Sequence, residues 1–422
     1  MKIMVVGGGG REHAIIKKIK QNTKVTEIFA LPGNAGMKDD ATLVNIGAKD
    51  IEGIVNFAKQ NNIDFAVVAP DDPLVLGCVD ELNKIGVKCF GPDKKAAIIE
   101  GSKVFSKNLM KKYNIPTAQY EVFSNMDDAL KYLDTCSFPT VIKADGLALG
   151  KGVTIAEDLA TAKAAINSIM QDKIFGESGN NIVIEEFLTG PEVSVLCFTD
   201  SKCVKPMVSS MDHKRIYDND KGPNTGGMGT IAPNPYYTED VAKRCMDEIF
   251  IPTINAMNNE GRPFKGCLYF GLMLTKNGPK VIEYNCRFGD PETQVVLPLL
   301  KSDLLEIMMA TENQTLSSTE VEFSNDSAAC VVMASDGYPV KYETGFEIKL
   351  PPHLNENEYV FIAGAKDKEG VTVTAGGRVL GATAVAQNLQ KAVQCAYQLV
   401  DKIDFENAVW RKDIGSKALK GE

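Results

Sequence analysis

The sequence predicts a multidomain protein of α/β and α+β type. Three observations carry that expectation. The chain has 422 residues, too many for one ordinary hydrophobic core and enough for several domains. Its N-terminal stretch alternates β-branched runs with helical apolar stripes, the pattern of a parallel α/β unit. Its C-terminal stretch pairs short β-rich runs with a closing helical pattern, a mixed β/α arrangement.

The elements follow in order. Ile3 to Val6 is the first strand, and Ala14, Ile15, Ile16 and Ile19 form the apolar stripe of the helix after it. Val25 to Leu31 and Phe65 to Ala69 are further strands, completing a first domain over residues 1–101. Ser102 reads as the N-cap of a helix whose Phe105, Leu109 and Tyr113 share one face, and Ile115-Pro116-Thr117 ends it. A second domain covers 102–325. Within it Thr140 to Lys143, Val153 to Ala156 and Ile182 to Leu188 are strands. A third domain covers 326–422, with hairpin-like strands at Val371 to Thr374 and Arg378 to Leu380 and a helix from Leu389 to Ile403.

Composition narrows the function classes. A net charge of −9 and a pI near 5.2 argue against a nucleic-acid or anionic-membrane binder. No apolar run is long enough to span a bilayer. Met1 to Gly7 reads as a strand entering a turn rather than a signal peptide. The 10 cysteines form no C-x-x-C pair, which fits reduced, mostly buried thiols in a cytoplasmic protein. The 3 histidines, His13, His213 and His353, are too few for a His-rich metal site.

Four segments carry residues suited to chemistry. Gly7-Gly8-Gly9-Gly10-Arg11-Glu12-His13 lies between a strand and a helix, where backbone N–H groups can hold a phosphate. The third glycine of a dinucleotide fingerprint is missing, and Phe29-Ala30-Leu31-Pro32 lacks the acidic residue that would hold a ribose. A phosphate-bearing ligand without nicotinamide fits better; a tight packing turn is the plain alternative. Lys143 and Lys151 flank a glycine-punctuated loop, Ala144 to Gly150, that is not a Walker A motif. It could fold over a triphosphate, or be an exposed hairpin with solvated lysines. Lys103 at a helix start is disfavoured by the dipole unless an anion lies nearby.

The most specific segment is Val281 to Arg287. Period two places Glu283, Asn285 and Arg287 on one face, with Ile282 and Tyr284 on the other. A carboxylate, an amide oxygen and a guanidinium in a row make a poor core face and a good metal-and-phosphate face; the alternative is a solvent-facing polar ladder. Gly222 to Gly229, preceded by Asp212-His213-Lys214-Arg215, is an irregular loop whose amides could hold a carboxylate or phosphate. Glu185-Glu186 ends a strand, as a surface edge or as a linker contacting a nucleotide base.

Ile99-Glu100-Gly101-Ser102-Lys103, Ile142 to Ala148 with Gly150-Lys151-Gly152-Val153, and Glu185-Glu186-Phe187-Leu188 resemble the ATP-grasp ligases. Gly7 to His13, Asp212 to Arg215, Gly222 to Gly229, Glu283 to Glu292 and Arg411-Lys412-Asp413-Ile414-Gly415 narrow the resemblance to the phosphoribosylamine–glycine ligase (glycinamide ribonucleotide synthetase) family. It runs end to end, and the blocks in that order are far more specific than any one of them. The resemblance implies a preATP-grasp α/β domain, an ATP-grasp fold with a smaller lid at about 118–188, and a small C-terminal domain. It implies ligation of glycine to phosphoribosylamine through a glycyl phosphate, in de novo purine synthesis.

On that resemblance, Glu283 and Asn285 hold Mg²⁺ or Mn²⁺ bridging the ATP phosphates, and Lys103, Lys143 and Lys151 face those phosphates. Glu185, Phe187 and Leu188 line the adenine pocket, and Glu192 reaches the ribose. Arg287 stabilises the acyl-phosphate step. Glycine and phosphoribosylamine lie near Asp212, Lys214, Arg215 and the loop of Asn224, Thr225, Gly226, Gly227, Met228 and Gly229, with Asp71, Asp290 and Gly9, Gly10, Arg11 and His13 contributing. No partner protein, nucleic acid or membrane is implied, and a monomer or weak homodimer is expected. Two departures matter. Asp71 stands where the family usually has Glu, one methylene longer. Gly271-Leu272-Met273-Leu274 lacks the acid many ATP-grasp enzymes carry there, so one metal is expected. Competing readings are an ATP-grasp carboxylase, a nucleotide-binding regulatory protein and, more weakly, a nicotinamide dehydrogenase.

Overall fold

The computed structural model describes residues 1–147 and 152–421. The first sheet is parallel and contains β1 (Lys2–Gly7), β2 (Glu27–Pro32), β3 (Thr42–Leu43), β4 (Phe65–Val68) and β5 (Lys88–Phe90), in spatial order β3-β2-β1-β4-β5. Helices α1 (Gly10–Ile19), α2 (Ile51–Gln60), α3 (Asp71–Leu76), α4 (Cys78–Lys84) and α5 (Lys94–Gly101) accompany it. The central strands β1 and β4 are almost fully buried between helical layers, as parallel strands require. α6 (Lys103–Lys112) starts where Ser102 Oγ accepts from the Phe105 N–H at 3.0 Å, the cap its sequence suggests.

A separate antiparallel sheet holds β6 (Tyr120–Phe123), β7 (Thr140–Ala144), β8 (Val153–Ala156) and β9 (Ile182–Glu186), ordered β6-β9-β7-β8. Its own small core includes Ile142, Ile166, Ile182 and Ile184. Next come β10 (Glu192–Asp200), β11 (Val204–Pro206), β12 (Met211–Asp212), β13 (Arg215–Tyr217), β14 (Lys221–Asn224), β15 (Gly229–Ala232), β16 (Lys265–Thr275) and β17 (Gly278–Asn285). A four-stranded sheet runs β11-β10-β16-β17.

The C-terminal part adds β18 (Ser327–Ser335), β19 (Glu358–Ile362), β20 (Ala365–Lys368), β21 (Val371–Thr374), β22 (Arg378–Ala386) and β23 (Ala408–Val409), with a helix at Leu389–Val400. The strands around 371–380 do not pair with each other as a hairpin. β21 pairs β20, whereas β22 enters a larger sheet ordered β12-β15-β18-β22-β19, with β23 also on β18. That sheet draws β12 and β15 from the chain before residue 326.

The four-stranded sheet positions the site. One face presents Val193, Val195, Leu268, Phe270, Leu272, Val281 and Tyr284 to a hydrophobic core. Along the other face Leu196, Phe198, Cys267 and Tyr269 pack into a second core. That cover then runs out, and Ser194, Gly271, Glu283 and Asn285 lie beyond its end. The apolar partner of Tyr284 is not Ile282, as simple alternation suggests. The ladder pairs Gly271 with Glu283 but Leu272 with Val281, so Ile282 is an extra, bulged residue. The bulge returns Val281 to the core side while Glu283 keeps the open face. Among the described residues no helix is long and apolar enough to cross a membrane.

Candidate active site

Glu283 sits among cations. Its Oε1 is 4.0 Å from Lys214 Nζ, and its side chain stays 38% exposed. Burial opposes its ionisation, but Lys214, Lys143, Lys103 and Arg287 together hold its carboxyl below the usual range. Asn285 Oδ1, on the same face, accepts from Arg287 Nη2 at 3.0 Å. Arg287 Nη2 also lies 3.2 Å from Glu100 Oε1, and Glu100 Oε2 accepts from the Cys286 N–H at 2.7 Å. Glu100, at the end of α5, thus fixes the strand end from the first domain. Asp71 is the first residue of α3; its Oδ1 accepts from the Asp72 N–H at 3.0 Å, and its charge acts on both Glu100 and Arg287.

The lysines converge from strand β7 and helix α6. Lys143 Nζ is 3.0 Å from Glu185 Oε1 and donates to the carbonyl of the bulged Ile282 at 3.1 Å. Lys107 Nζ is 3.0 Å from Glu185 Oε2, and both residues are almost fully buried. Burial lowers the Lys107 ammonium to about 8 despite that carboxylate. Glu185 is therefore held between two lysines, while Phe187 is exposed and Leu188 half-buried beside it. Lys103 Nζ donates to the Gly146 carbonyl at 2.7 Å. The anion expected at the start of α6 is Asp145, whose Oδ1 accepts from Ser102 Oγ at 3.0 Å and the Val104 N–H at 3.2 Å. Lys151 lies outside the described residues.

Asp212, Glu292 and Asp290 form the other side. Burial and the Glu292 charge push the Asp212 carboxyl well above the usual range. Glu292 Oε1 accepts from Ser194 Oγ at 3.2 Å, and Ser194 Oγ is 2.8 Å from Tyr269 Oη. Lys214 Nζ pairs with Glu192 Oε2 at 2.9 Å, so Glu192 is already engaged at the head of β10. Arg215 turns to its own hairpin and donates to the Gly222 carbonyl at 2.7 Å.

The glycine segments differ from the sequence expectation in one respect. Their amides are largely satisfied from within. Thr225 N–H donates to the Lys214 carbonyl, Gly226 N–H to Tyr338 Oη, Gly227 N–H to Thr225 Oγ1 and Met228 N–H to the His213 carbonyl. Gly227 has φ +112°, and a Cβ there would meet Asp212 Oδ1 at 2.6 Å, so only glycine brings the loop this close. Gly229 pairs with Val331 in the ladder. At α1, Gly9 N–H donates to Glu12 Oε2 at 2.6 Å, and the backbone N–H of Arg11 faces Asp290. The anion at this helix start is thus an internal carboxylate. A Cβ on Gly10 would meet Gln294 Nε2 at 2.7 Å. Arg11 is buried and donates to Glu12 Oε1 at 2.6 Å and the Phe288 carbonyl at 3.0 Å.

His13 is a correction. Its side chain does not face the cleft: Nδ1 accepts from the Ile362 N–H at 2.9 Å and the ring meets Phe361 edge-on. It packs the first domain against β19, where helical geometry turns it away from the glycine run. Residues that sequence reasoning missed are Glu100, Lys107, Glu292 and Arg378. Glu100 lies in the Ile99-to-Lys103 segment, and an acid among the buried apolar positions of α5 is the available signal. Nothing local marks Arg378, whose partners lie more than 80 positions away.

The site offers a divalent cation a carboxylate and an amide oxygen, hard donors suited to Mg²⁺. Among the described residues no three His, Cys, Asp or Glu side chains converge to hold a metal. The two-donor set therefore fits an ion whose remaining ligands are phosphate oxygens and water.

The model of the phosphoribosylglycinamide synthetase N domain matches residues 1–100, its ATP-grasp (A) domain 101–293 and its C domain 328–417. A phosphoribosylamine–glycine ligase of Caldanaerobacter subterraneus subsp. tengcongensis is 48% identical over 99% of this chain and all of that protein. The trifunctional purine biosynthetic protein adenosine-3 of Gallus gallus is 46% identical over 99% of this chain and 42% of its own length. The crystal structure of phosphoribosylamine–glycine ligase from Thermotoga maritima superposes with a TM-score of 0.87 at 33% identity, covering 98% of this chain and 100% of that one. The biotin carboxylase domain of Hydrogenobacter thermophilus 2-oxoglutarate carboxylase, solved with MgADP, ADP and bicarbonate, gives 0.74 at 15% identity over 97% and 91%. That last likeness speaks for the fold alone.

Proposed function

The chain belongs to the phosphoribosylglycinamide synthetase family, and from that premise we propose that it joins glycine to 5-phospho-D-ribosylamine with ATP, giving glycinamide ribonucleotide, ADP and phosphate in de novo purine biosynthesis. It is an ATP-dependent ligase of ATP-grasp fold. The observation that carries the chemistry is one carboxylate, Glu283, ringed by Lys103, Lys143, Lys214 and Arg287.

The reaction runs in two displacements. A glycine carboxylate oxygen attacks the γ-phosphorus, forming a glycyl phosphate and releasing ADP. The amine of phosphoribosylamine then attacks the acyl carbon, phosphate leaves, and the nitrogen sheds a proton. Glu283 and Asn285 would hold Mg²⁺, or Mn²⁺ in its place, which when bound supplies charge neutralisation on the phosphates. Lys103, Lys143 and Lys151 take the phosphate side. Arg287, fixed by Glu100 and Asn285, faces the acyl phosphate. Phe187 and Leu188 supply apolar surface for adenine, with Glu185 positioning Lys143 and Glu192 near the ribose. The Glu292 charge disfavours ionisation of the buried Asp212 despite Lys214 and Arg378, and the glycine ammonium would add the positive charge that favours it. Lys214, Arg215, Asp71, Asp290 and the Asn224–Gly229 loop shape the space for phosphoribosylamine, floored by Gly9 and Gly10. No side chain serves as a covalent nucleophile; positioning and charge neutralisation do the chemistry. The protein works in the cytoplasm as a monomer or weak homodimer.

The test is phosphate release from MgATP by purified protein. Release is expected only when glycine and phosphoribosylamine are both present. Release with bicarbonate and none with glycine would replace this reading with a carboxylase.

A further inference from the structure

Arg378 begins β22 in the C-terminal domain, yet its guanidinium reaches the substrate loop. Nη1 donates to the Gly226 carbonyl at 2.7 Å and to the Asp290 carbonyl at 2.8 Å, and lies 3.4 Å from Asp290 Oδ1. The approach is close enough that a Cβ on Gly226 would meet Arg378 Cζ at 2.9 Å. All of these bonds use one nitrogen. Among the described residues Nε and Nη2 make no hydrogen bond, and the side chain keeps 23% exposure.

Elimination gives this residue its meaning. An anionic group on the amine substrate needs donors near the Asn224–Gly229 loop, and the amides of Thr225, Gly226, Gly227 and Met228 are already used. The other cations there are also engaged. Lys214 holds Glu192, Arg11 is buried on Glu12, and Arg287 is tied to Glu100 and Asn285; Arg215 also uses only Nη1, on the Gly222 carbonyl of its own hairpin, whereas Arg378 reaches both the Gly226 carbonyl and Asp290. Asp212, Asp290 and Glu292 make the surroundings otherwise acidic. A guanidinium with two free N–H-bearing nitrogens matches the geometry of a phosphate.

We propose that Arg378 binds the 5-phosphate of phosphoribosylamine, so that the C-terminal domain recognises the phosphorylated substrate; this rests on the ligase reading above. The latch to Gly226 and Asp290 orients the guanidinium, and the free edge takes the phosphate.

The experiment compares wild type, Arg378→Gln and Arg378→Lys on phosphoribosylamine, generated in solution from ribose 5-phosphate and ammonia, with ribitol 5-phosphate, which cannot form the amine, as a competing probe. Arg378→Gln is expected to lose about 10- to 100-fold in kcat/KM for the amine, with KM for MgATP and glycine within about twofold. Inhibition by ribitol 5-phosphate should weaken by a similar factor, while inhibition by ribitol stays unchanged. Arg378→Lys keeps the charge without the fork and should fall between; it also serves if the glutamine variant fails to fold. Equal losses for all three substrates, or unchanged ribitol 5-phosphate inhibition, would make Arg378 a structural latch and overturn the inference. A wild type that makes no product from glycine and phosphoribosylamine overturns the ligase reading itself, a separate result.

Discussion

Gly271 lies directly across the β16–β17 ladder from Glu283, and a Cβ on it would come within 3.0 Å of Glu283 Cγ. The missing side chain is the room in which the carboxylate sits. Gly271→Val should overpack this row, cost about 1–3 kcal/mol of stability, and displace Glu283. The Mg²⁺ concentration for half-maximal turnover should rise. An unchanged magnesium requirement would show that Glu283 does not hold the ion.

Glu283→Ala and Asn285→Ala remove hard oxygen donors from a face outside the cores. Each is expected to lower kcat by about 10²–10³-fold. Stability should fall by only about 1 kcal/mol, because each variant loses charge or hydrogen-bond partners but no core packing. Steady-state rates with MgATP and denaturant curves check the pair. Wild-type turnover in either variant refutes the metal assignment.

Glu100 is buried and neutralises Arg287. Glu100→Ala leaves that guanidinium uncompensated and should cost about 3–5 kcal/mol. Glu100→Gln keeps an acceptor for the Cys286 N–H and should cost less. Urea unfolding of both variants tests the ordering; equal losses would show that the charge on Glu100 does not matter.

His213 gives the chain an acid-sensitive point. Its Nε2 accepts from the Gly415 N–H at 3.1 Å, which requires a neutral ring whose Nδ1 donates to the Gly229 carbonyl. Burial, then the Arg411 charge, lowers its pKa to about 4. The unfolded chain, with an ordinary pKa of about 6.5, therefore binds more protons below that pH. Stability from this group is complete above pH 6.5 and is lost as pH falls toward 4, about 3 kcal/mol in all. Melting temperatures across pH 7.5 to 4.5 should fall more steeply for wild type than for His213→Gln. Parallel slopes would remove His213 from this role.

Local chemistry explains what was readable in the sequence. The Ser102 cap, the buried β1 run and the alternation of Glu283, Asn285 and Arg287 are contained within a few residues, so pattern alone exposes them. The bulge at Ile282 is not, because it depends on how β16 registers against β17. The internal anion at α1 is likewise hidden, since Asp290 is distant in sequence. His13 shows the limit from the other side. Its position in a glycine-rich segment suggested a ligand, whereas its partner, Ile362, belongs to the far end of the chain. Arg378 reaches its loop only through the assembled C-terminal sheet.

That sheet has a consequence for dividing the molecule. β15 lies against β18 from Gly229↔Val331 to Ala232↔Ala328. A gene cut at residue 326 would strip β18 of that neighbour and leave a bare row of backbone donors and acceptors. Fragments expressed apart should seek each other, or stick to their own kind, until the missing strand is donated back. In hydrogen-bonding terms the last quarter of the polypeptide is not a detachable module.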